Sequence, residues 1–351
     1  MKNVDHVLII GFGGPTKREE ILPFLRQVAK GRNIPEARLK EVEHHYKRVG
    51  GFSPYNAYAF QLAEKLKAAL QVESEPAAIQ ASDGRSTNQP RTKRTGVPVF
   101  VGMRNWHPFF QETLAVIKAL GLKQGVGVIL APHRCETSYE RYIQDVDEAR
   151  RTVGAGGWPA PARPSGGWPP EQAGAEEINY QYLKPWHTHP LFIQAQVDEA
   201  RKILDSLSSD AQKETHILFS AHSIPLDMPG CAGYQEEIRQ SSALVAAELG
   251  AQDWTLAYQS RSGGGRPWTE PDVVSVIKSL AEKGKKRVLI VPIGFLCDNV
   301  ELLFDLDVTA KEEAEKCGLQ YIRAKTIADN PRLVAMLQSL ILEYFPASHP
   351  A

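Results

Sequence analysis

The chain has 351 residues, 42% of them hydrophobic, with 41 basic and 41 acidic side chains. That is enough apolar mass for about two domains of roughly 150 residues each. Zero formal net charge argues against general nucleic-acid binding, which wants a basic face. No apolar run reaches the roughly 18 residues of a membrane-spanning helix.

The opening MKNVDHVLIIGFGG enters an apolar strand at 6–12 without a signal-peptide layout, so a cytoplasmic location is expected. Gly11-Phe12-Gly13-Gly14 looks like a dinucleotide loop but lacks the GxGxxG spacing, and a tight strand-to-helix turn is the simpler reading. Residues 18–30 and 35–49 carry helical periodicity, the second opened by Pro35 in its first turn. Residues 56–71 resume a helix with Phe60, Leu62, Leu66 and Leu70 as its core stripe. Residues 73–96 are polar and aperiodic, which reads as a solvated insertion.

A strand at 97–101 leads to a helix at 109–120, and a strand at 125–131 leads to a helix ending near Arg151. Residues 152–176 are rich in Gly and Pro and read as a loop or linker. The second half repeats the scheme: helix 190–207, strand 215–220, helix 233–249, strand 254–259, helix 272–284, strand 287–293, helix 300–317, strand 320–325 and a closing helix at 331–344. Alternating strands and helices predict an α/β fold of two Rossmann-like lobes with parallel sheets and a cleft between them. The boundaries expected are 1–151 for the first lobe, 177–330 for the second and 331–351 for the closing helix and tail.

Two stretches hold the candidate chemistry, HILFSAHSIP and RVLIVPIGFLCDNVELLFDLD. The first ends a strand at His222; the second runs from a strand into a helix beginning near Glu301. Ligands of open α/β sheets bind outside the carboxyl ends of strands, so a His and a carboxylate face one pocket there. A lone His at a strand end is more often structural. Paired with a carboxylate, it suits proton abstraction or handling of a divalent cation. Asp305 lies four residues after Glu301 and shares its helix face, Asp298 is the natural N-cap, and Leu302, Leu303 and Phe304 are most simply core. The His222-Ser223 pair does not make a hydrolase, because no GxSxG elbow accompanies it.

These residues carry a resemblance. HVLIIGFGGP, HYKRVGGFSPYN, GMRNWHP, LFSAHSIP, YQSRSGGGRPWTEPDV and VPIGFLCDNVELLFDLD together are similar to ferrochelatases, most of all to the soluble type that acts on coproporphyrin III. The resemblance implies a porphyrin held in the cleft and ferrous iron inserted into it as substrate. It implies that His222 and Glu301 are the catalytic and metal-site residues. It also implies porphyrin contacts at Ser53, Tyr46, Tyr142 and Phe12, and a relay at Asp305. A His and a carboxylate are apt acceptors for the two pyrrole N–H protons near neutral pH.

There are departures from the family pattern. Phe12 stands where some relatives have a metal-axial Tyr, and it can only pack on the macrocycle. His45 stands where relatives have a propionate-binding Arg, with Lys30, Arg32 and Arg48 as substitutes. Some relatives carry a [2Fe–2S] cluster on grouped cysteines near the C-terminus. Here Cys135, Cys231, Cys297 and Cys317 are scattered, so no cluster, no permanently bound cofactor and free thiols are expected. A monomer is expected. Lys17, Arg18, Lys30, Arg32, Lys47 and Arg48 form a cationic rim suited to four propionates, which favours coproporphyrin III. The alternatives are a protoporphyrin IX ferrochelatase, a chelatase for cobalt or nickel, and a non-catalytic tetrapyrrole-binding protein.

Overall fold

The computed structural model describes residues 4–71, 96–158, 177–261 and 265–345. Most of the insertion at 73–96, and residues 159–176 of the Gly/Pro-rich stretch, lie outside them. Two four-stranded parallel sheets carry the fold, with strand orders β2-β1-β3-β4 and β6-β5-β7-β8. The first is built from β1 (His6–Gly11), β2 (Val99–Met103), β3 (Gln124–Ile129) and β4 (Asn179–Tyr182). The second uses β5 (Thr215–His222), β6 (Trp254–Gln259), β7 (Arg287–Val291) and β8 (Gln320–Arg323). Every residue of β1 is buried. A parallel strand covered on both faces needs this continuous apolar run. Leu8, Ile9 and Ile10 have no exposed surface, and each contributes about 1.5–3 kcal/mol by burial.

Strand β4 is a correction to the expected layout. Its sequence, NYQY, lacks an apolar run, yet it pairs with β3 from Gln124↔Asn179 to Gly127↔Tyr182. The glycines of β3 make room for it. A Cβ on Gly125 would meet the Tyr180 ring at 2.3 Å, and one on Gly127 the Tyr182 ring at 2.5 Å. The first sheet therefore extends past the Gly/Pro-rich stretch, and Asn179–Tyr182, expected in the second lobe, belong to the first sheet.

Helices cover both faces: α1 (Ile21–Ala29), α2 (Glu36–Arg48), α3 (Tyr55–Ala69), α4 (Phe110–Ala119) and α5 (Glu140–Gly154) accompany the first sheet. They are followed by α6 (Pro190–Leu204), α7 (Ser209–Lys213), α8 (Cys231–Leu249) and α9 (Val273–Glu282). The closing helix α12 (Pro331–Leu342) packs on both α6 and α3, and the Gln338 amide donates to the Ala69 carbonyl at 2.6 Å. It therefore touches the first lobe as well as the second. On α3, Leu62, Leu66 and Leu70 are buried as the spacing predicts, whereas Phe60 is exposed, off that stripe.

The expected single helix over 300–317 is three segments. Val300–Leu302 (α10) starts as α-helix, Leu303–Ala310 is a π-helix, and Lys311–Lys316 (α11) returns to α. Its N-cap is Asn299, whose side chain accepts from the Leu302 N–H at 2.8 Å, not Asp298. Asp298 instead accepts from Arg323 at 3.2 Å and from Thr326 at 3.3 Å. Arg323 also makes a two-pronged pair with Asp307 at 2.6 and 2.7 Å. It thus ties β8 to the approach and to the middle of the π-helical segment.

Candidate active site at the two switch points

In each sheet the chain leaves the first strand for one neighbour and later returns to the other. The crevice in such a sheet opens between the carboxyl ends of those strands. In the second sheet these are the ends of β5 and β7. There Gly294 passes so close that an added Cβ would lie 2.8 Å from the Cβ of Ala221, and its N–H donates to the Ser220 carbonyl at 3.1 Å. Only glycine permits that approach, which draws the connection after β7 over the end of β5. Glu301 is thereby delivered to His222, with Oε2 3.4 Å from Nε2.

His222 is fixed from behind. Its Nδ1 lies 2.5 Å from the Ser223 carbonyl, and its own carbonyl accepts from the Tyr234 hydroxyl at 2.9 Å. A carbonyl can only accept, so Nδ1 carries a proton and Nε2 is the atom presented to the crevice. Ser223 is committed elsewhere: its hydroxyl bonds to Thr269.

Protein surrounds the pair closely, yet 36% of the His222 side chain and 53% of the Glu301 side chain remain exposed. The pair belongs to an open crevice, not to the core. Burial opposes the charge on His222, but the Glu301 hydrogen bond and charge outweigh it and hold the imidazole above its usual value. Burial likewise opposes the charge on Glu301, and His222 overcomes it to lower the carboxyl. Each partner favours the other's charged form.

Asp305 lies one turn on, in the π-helix, accepting a hydrogen bond from the Ser260 hydroxyl. Burial, with a smaller contribution from the Glu301 charge against the Ser260 bond, pushes its carboxyl up to about 6. Leu302 and Leu306 are fully buried on the other side of the same segment, so of the residues expected in the core only Leu302 is wholly so. Leu303 and Phe304 are half-buried.

The first sheet's crevice, at the ends of β1 and β3, is aromatic. Phe12 follows β1 with 36% of its surface exposed and its ring edge-on to Phe24. The turn behind it is a glycine turn, Gly13 having φ 84°, and the Gly14 N–H is taken by Asn56 at 2.9 Å. Tyr142 on α5 is buried beneath the Arg104 guanidinium, itself paired with Asp145 at 2.6 Å. Tyr46 on α2 is buried against Phe24. Burial drives both phenols upward, and the Glu301 charge adds to each. Both hydroxyls therefore lie within electrostatic reach of the other lobe's carboxylate. Ser53 is buried over Gly14, its hydroxyl accepting from the Tyr55 N–H at 3.4 Å.

His45, at the position where relatives have a propionate-binding Arg, is engaged by the other lobe. Its ring stacks on Phe304 of the π-helix at 3.7 Å and 10°. Arg48 lies over the same ring and pairs with Glu312 at 2.7 Å. Of the expected rim, Lys17 also pairs with Glu20 and Lys47 with Glu43. Arg18 lies against Gly51, where an added Cβ would meet its Nε at 2.6 Å, two residues from Ser53. Sequence reasoning did not single out Ser260. A Ser directly after a strand and before SGGG was the available signal.

Two lobes of one strand order, with aromatics at one crevice and a His–Glu pair at the other, define a chelatase-like α/β protein. SirB from Bacillus subtilis with Fe3+ shares this fold, with a TM-score of 0.55 over 98% of this chain and 97% of that one, at 11% identity. Residues 5–344 match the family model described as Ferrochelatase. The chain is 34% identical to the Ferrochelatase of Rhodopirellula baltica over 97% of its own length and 86% of the relative's. It is 32% identical to the Coproporphyrin III ferrochelatase of Nocardia farcinica, over 99% and 90% respectively. The chain belongs to the ferrochelatase family, enzymes that insert a metal into a porphyrin. Among the described residues no helix is long and apolar enough to cross a membrane.

Proposed function

We propose that this enzyme inserts ferrous iron into coproporphyrin III. The observation that carries the reading is the His222–Glu301 pair, 3.4 Å apart at the second sheet's switch point. Both groups are open to the cleft, and each shifts the other's proton affinity. Ferrous iron enters as substrate and two pyrrole N–H protons leave. His222 Nε2, freed by the Nδ1 bond to Ser223, accepts one proton and the Glu301 carboxylate accepts the other, as the dication replaces the two protons on the macrocycle. Asp305, whose affinity lies near neutrality, takes protons onward to solvent. Phe12 supports a macrocycle face by packing alone, since it cannot ligate iron, and Tyr46, Tyr142 and Ser53 line the same wall.

Four propionates suit coproporphyrin III to the cations at this edge. Arg18, Lys30 and Arg32 make no ion pair among the described residues, and charge-assisted bonds to carboxylates are roughly twice as strong as neutral ones. A relative 32% identical acts on coproporphyrin III by its name. One feature favours protoporphyrin IX instead: Phe52, beside Ser53, is largely exposed and offers an apolar lip to vinyl groups. Anaerobic ferrous insertion with the two porphyrins side by side decides. The coproporphyrin III preference should shrink as salt screens the rim. A higher kcat/KM for protoporphyrin IX at physiological ionic strength overturns the assignment.

A further inference from the structure

Among the described residues, Ser260 is the single non-glycine with a left-handed backbone, φ 63°. It follows Gln259, the last residue of β6, whose carbonyl accepts the Ser223 N–H at 2.7 Å. With the register His222↔Gln259, that bond ties the ends of β5 and β6 together and forces the chain to turn at Ser260. Glycine would take this turn without steric cost. What glycine lacks is the hydroxyl, and the Ser260 hydroxyl crosses from β6 to the π-helix to donate to Asp305.

The neighbouring polar groups are unusual too. Gln259 is 2% exposed with neither amide atom hydrogen-bonded among the described residues, and the fully buried Ser220 hydroxyl is likewise unpartnered. Register places both on the sheet face that carries His222. Buried polar atoms without partners cost stability, and backbone strain concentrates at functional sites. This corner is not assembled for stability.

We infer that Ser260 is a positioning residue for metal insertion, using a strained backbone to hold the Asp305 carboxyl toward β6 and away from the His222–Glu301 pair. The inference rests on the reading of that pair given above. Glu301 and Asp305 share one helix face, so without Ser260 both carboxylates compete for the same imidazole and the same cation. With Asp305 held back, one carboxylate faces His222 and the second waits behind it.

The test uses the full chain with Ser260→Gly, Ser260→Asn, Asp305→Asn and the Gly/Asn double variant, assayed by anaerobic ferrous insertion and thermal melting. Ser260→Gly should melt at or above the wild-type temperature and keep the porphyrin KM. Its kcat/KM for ferrous iron should fall roughly 10–100-fold, the usual effect of removing a hydrogen-bond partner behind a metal site. Ser260→Asn, which tolerates the left-handed region and keeps a donor, should recover part of the loss. The double variant should be no slower than Asp305→Asn alone, because both changes break one interaction. Wild-type turnover by Ser260→Gly, or losses that multiply in the double variant, overturns the inference while leaving the His222–Glu301 reading intact. A wild-type enzyme that inserts no iron overturns that reading and this inference with it.

Discussion

The two sheets share a strand order, so their switch points are comparable places, and the sequence equips them differently. After β1 comes Phe12 and a glycine turn, with Tyr46 and Tyr142 beside it; burial pushes both phenols further above their ordinary range. They stay neutral across physiological pH. After β5 comes His222, faced by Glu301 and backed by Asp305, all three with shifted proton affinities. One crevice is walled by aromatics whose phenols do not titrate near neutrality, and the other holds three groups with shifted proton affinities. The His45–Phe304 stack and the Arg48–Glu312 pair fasten α2 of the first lobe to the π-helix and to α11 of the second, beside the site. On the proposed function, a scaffold used twice divides binding from chemistry without changing its topology.

The largest effects should come from the second crevice. His222→Ala and Glu301→Gln should each lower ferrous insertion roughly 10²–10⁴-fold, the range for losing a positioned acid or base. Porphyrin binding, followed by fluorescence quenching, should hold. Normal turnover in either variant breaks the division. Asp305→Asn should slow insertion but stabilise the protein at pH 7. A carboxyl raised from 3.8 to about 6 in the fold loses stability as pH climbs through that interval, by at most about 3 kcal/mol. The gain in urea unfolding should vanish as pH is lowered towards 4. In the first crevice, Phe12→Ala should raise the porphyrin KM about tenfold, or about 1.4 kcal/mol, with kcat nearly unchanged. A fall in kcat at constant KM would move Phe12 from the wall into the chemistry.

Much of this division was legible in the chain. Continuous apolar runs marked β1, β3, β5 and β7 because strands buried on both faces must be apolar. The same rule hid β4, an edge strand whose NYQY owes its place to the glycines of β3. His222 and Glu301 were readable as strand-end and helix-start residues. The π-helix was not, since a wider turn leaves no separate period in eight residues. Asp298 looked like the cap because Asp and Asn cap equally well, and only the pull of Arg323 on β8 decides between it and Asn299. The stacking of His45 was not readable, because the aromatic it rests on lies in the other lobe, 259 residues away by number (304 − 45). Ser260 had only its place between a strand and a glycine-rich loop to mark it, and its φ and its bond to Asp305 appear only in the fold.

The smallest effect sharpens the comparison most, because the two crevices should answer pH differently. His222 is raised above 6.5 in the fold, so its contribution is complete below 6.5 and is lost as pH rises through the folded value. Glu301 is lowered below 4.5, so its contribution is complete above 4.5 and is lost as pH falls through its folded value. Both are present together between about pH 4.5 and 6.5. Both side chains are more than one-third exposed, which limits the pair to the roughly 0–1 kcal/mol of solvent-screened ion pairs. The stability difference between wild type and Glu301→Gln should therefore be largest in that window and decline above pH 6.5. For Tyr142→Phe the difference should be flat from pH 4 to 8, because that phenol does not titrate there. A flat profile for Glu301→Gln would mean that His222 and Glu301 do not share a proton-linked contact in solution. A sloping one for Tyr142→Phe would mean that the aromatic wall is not inert.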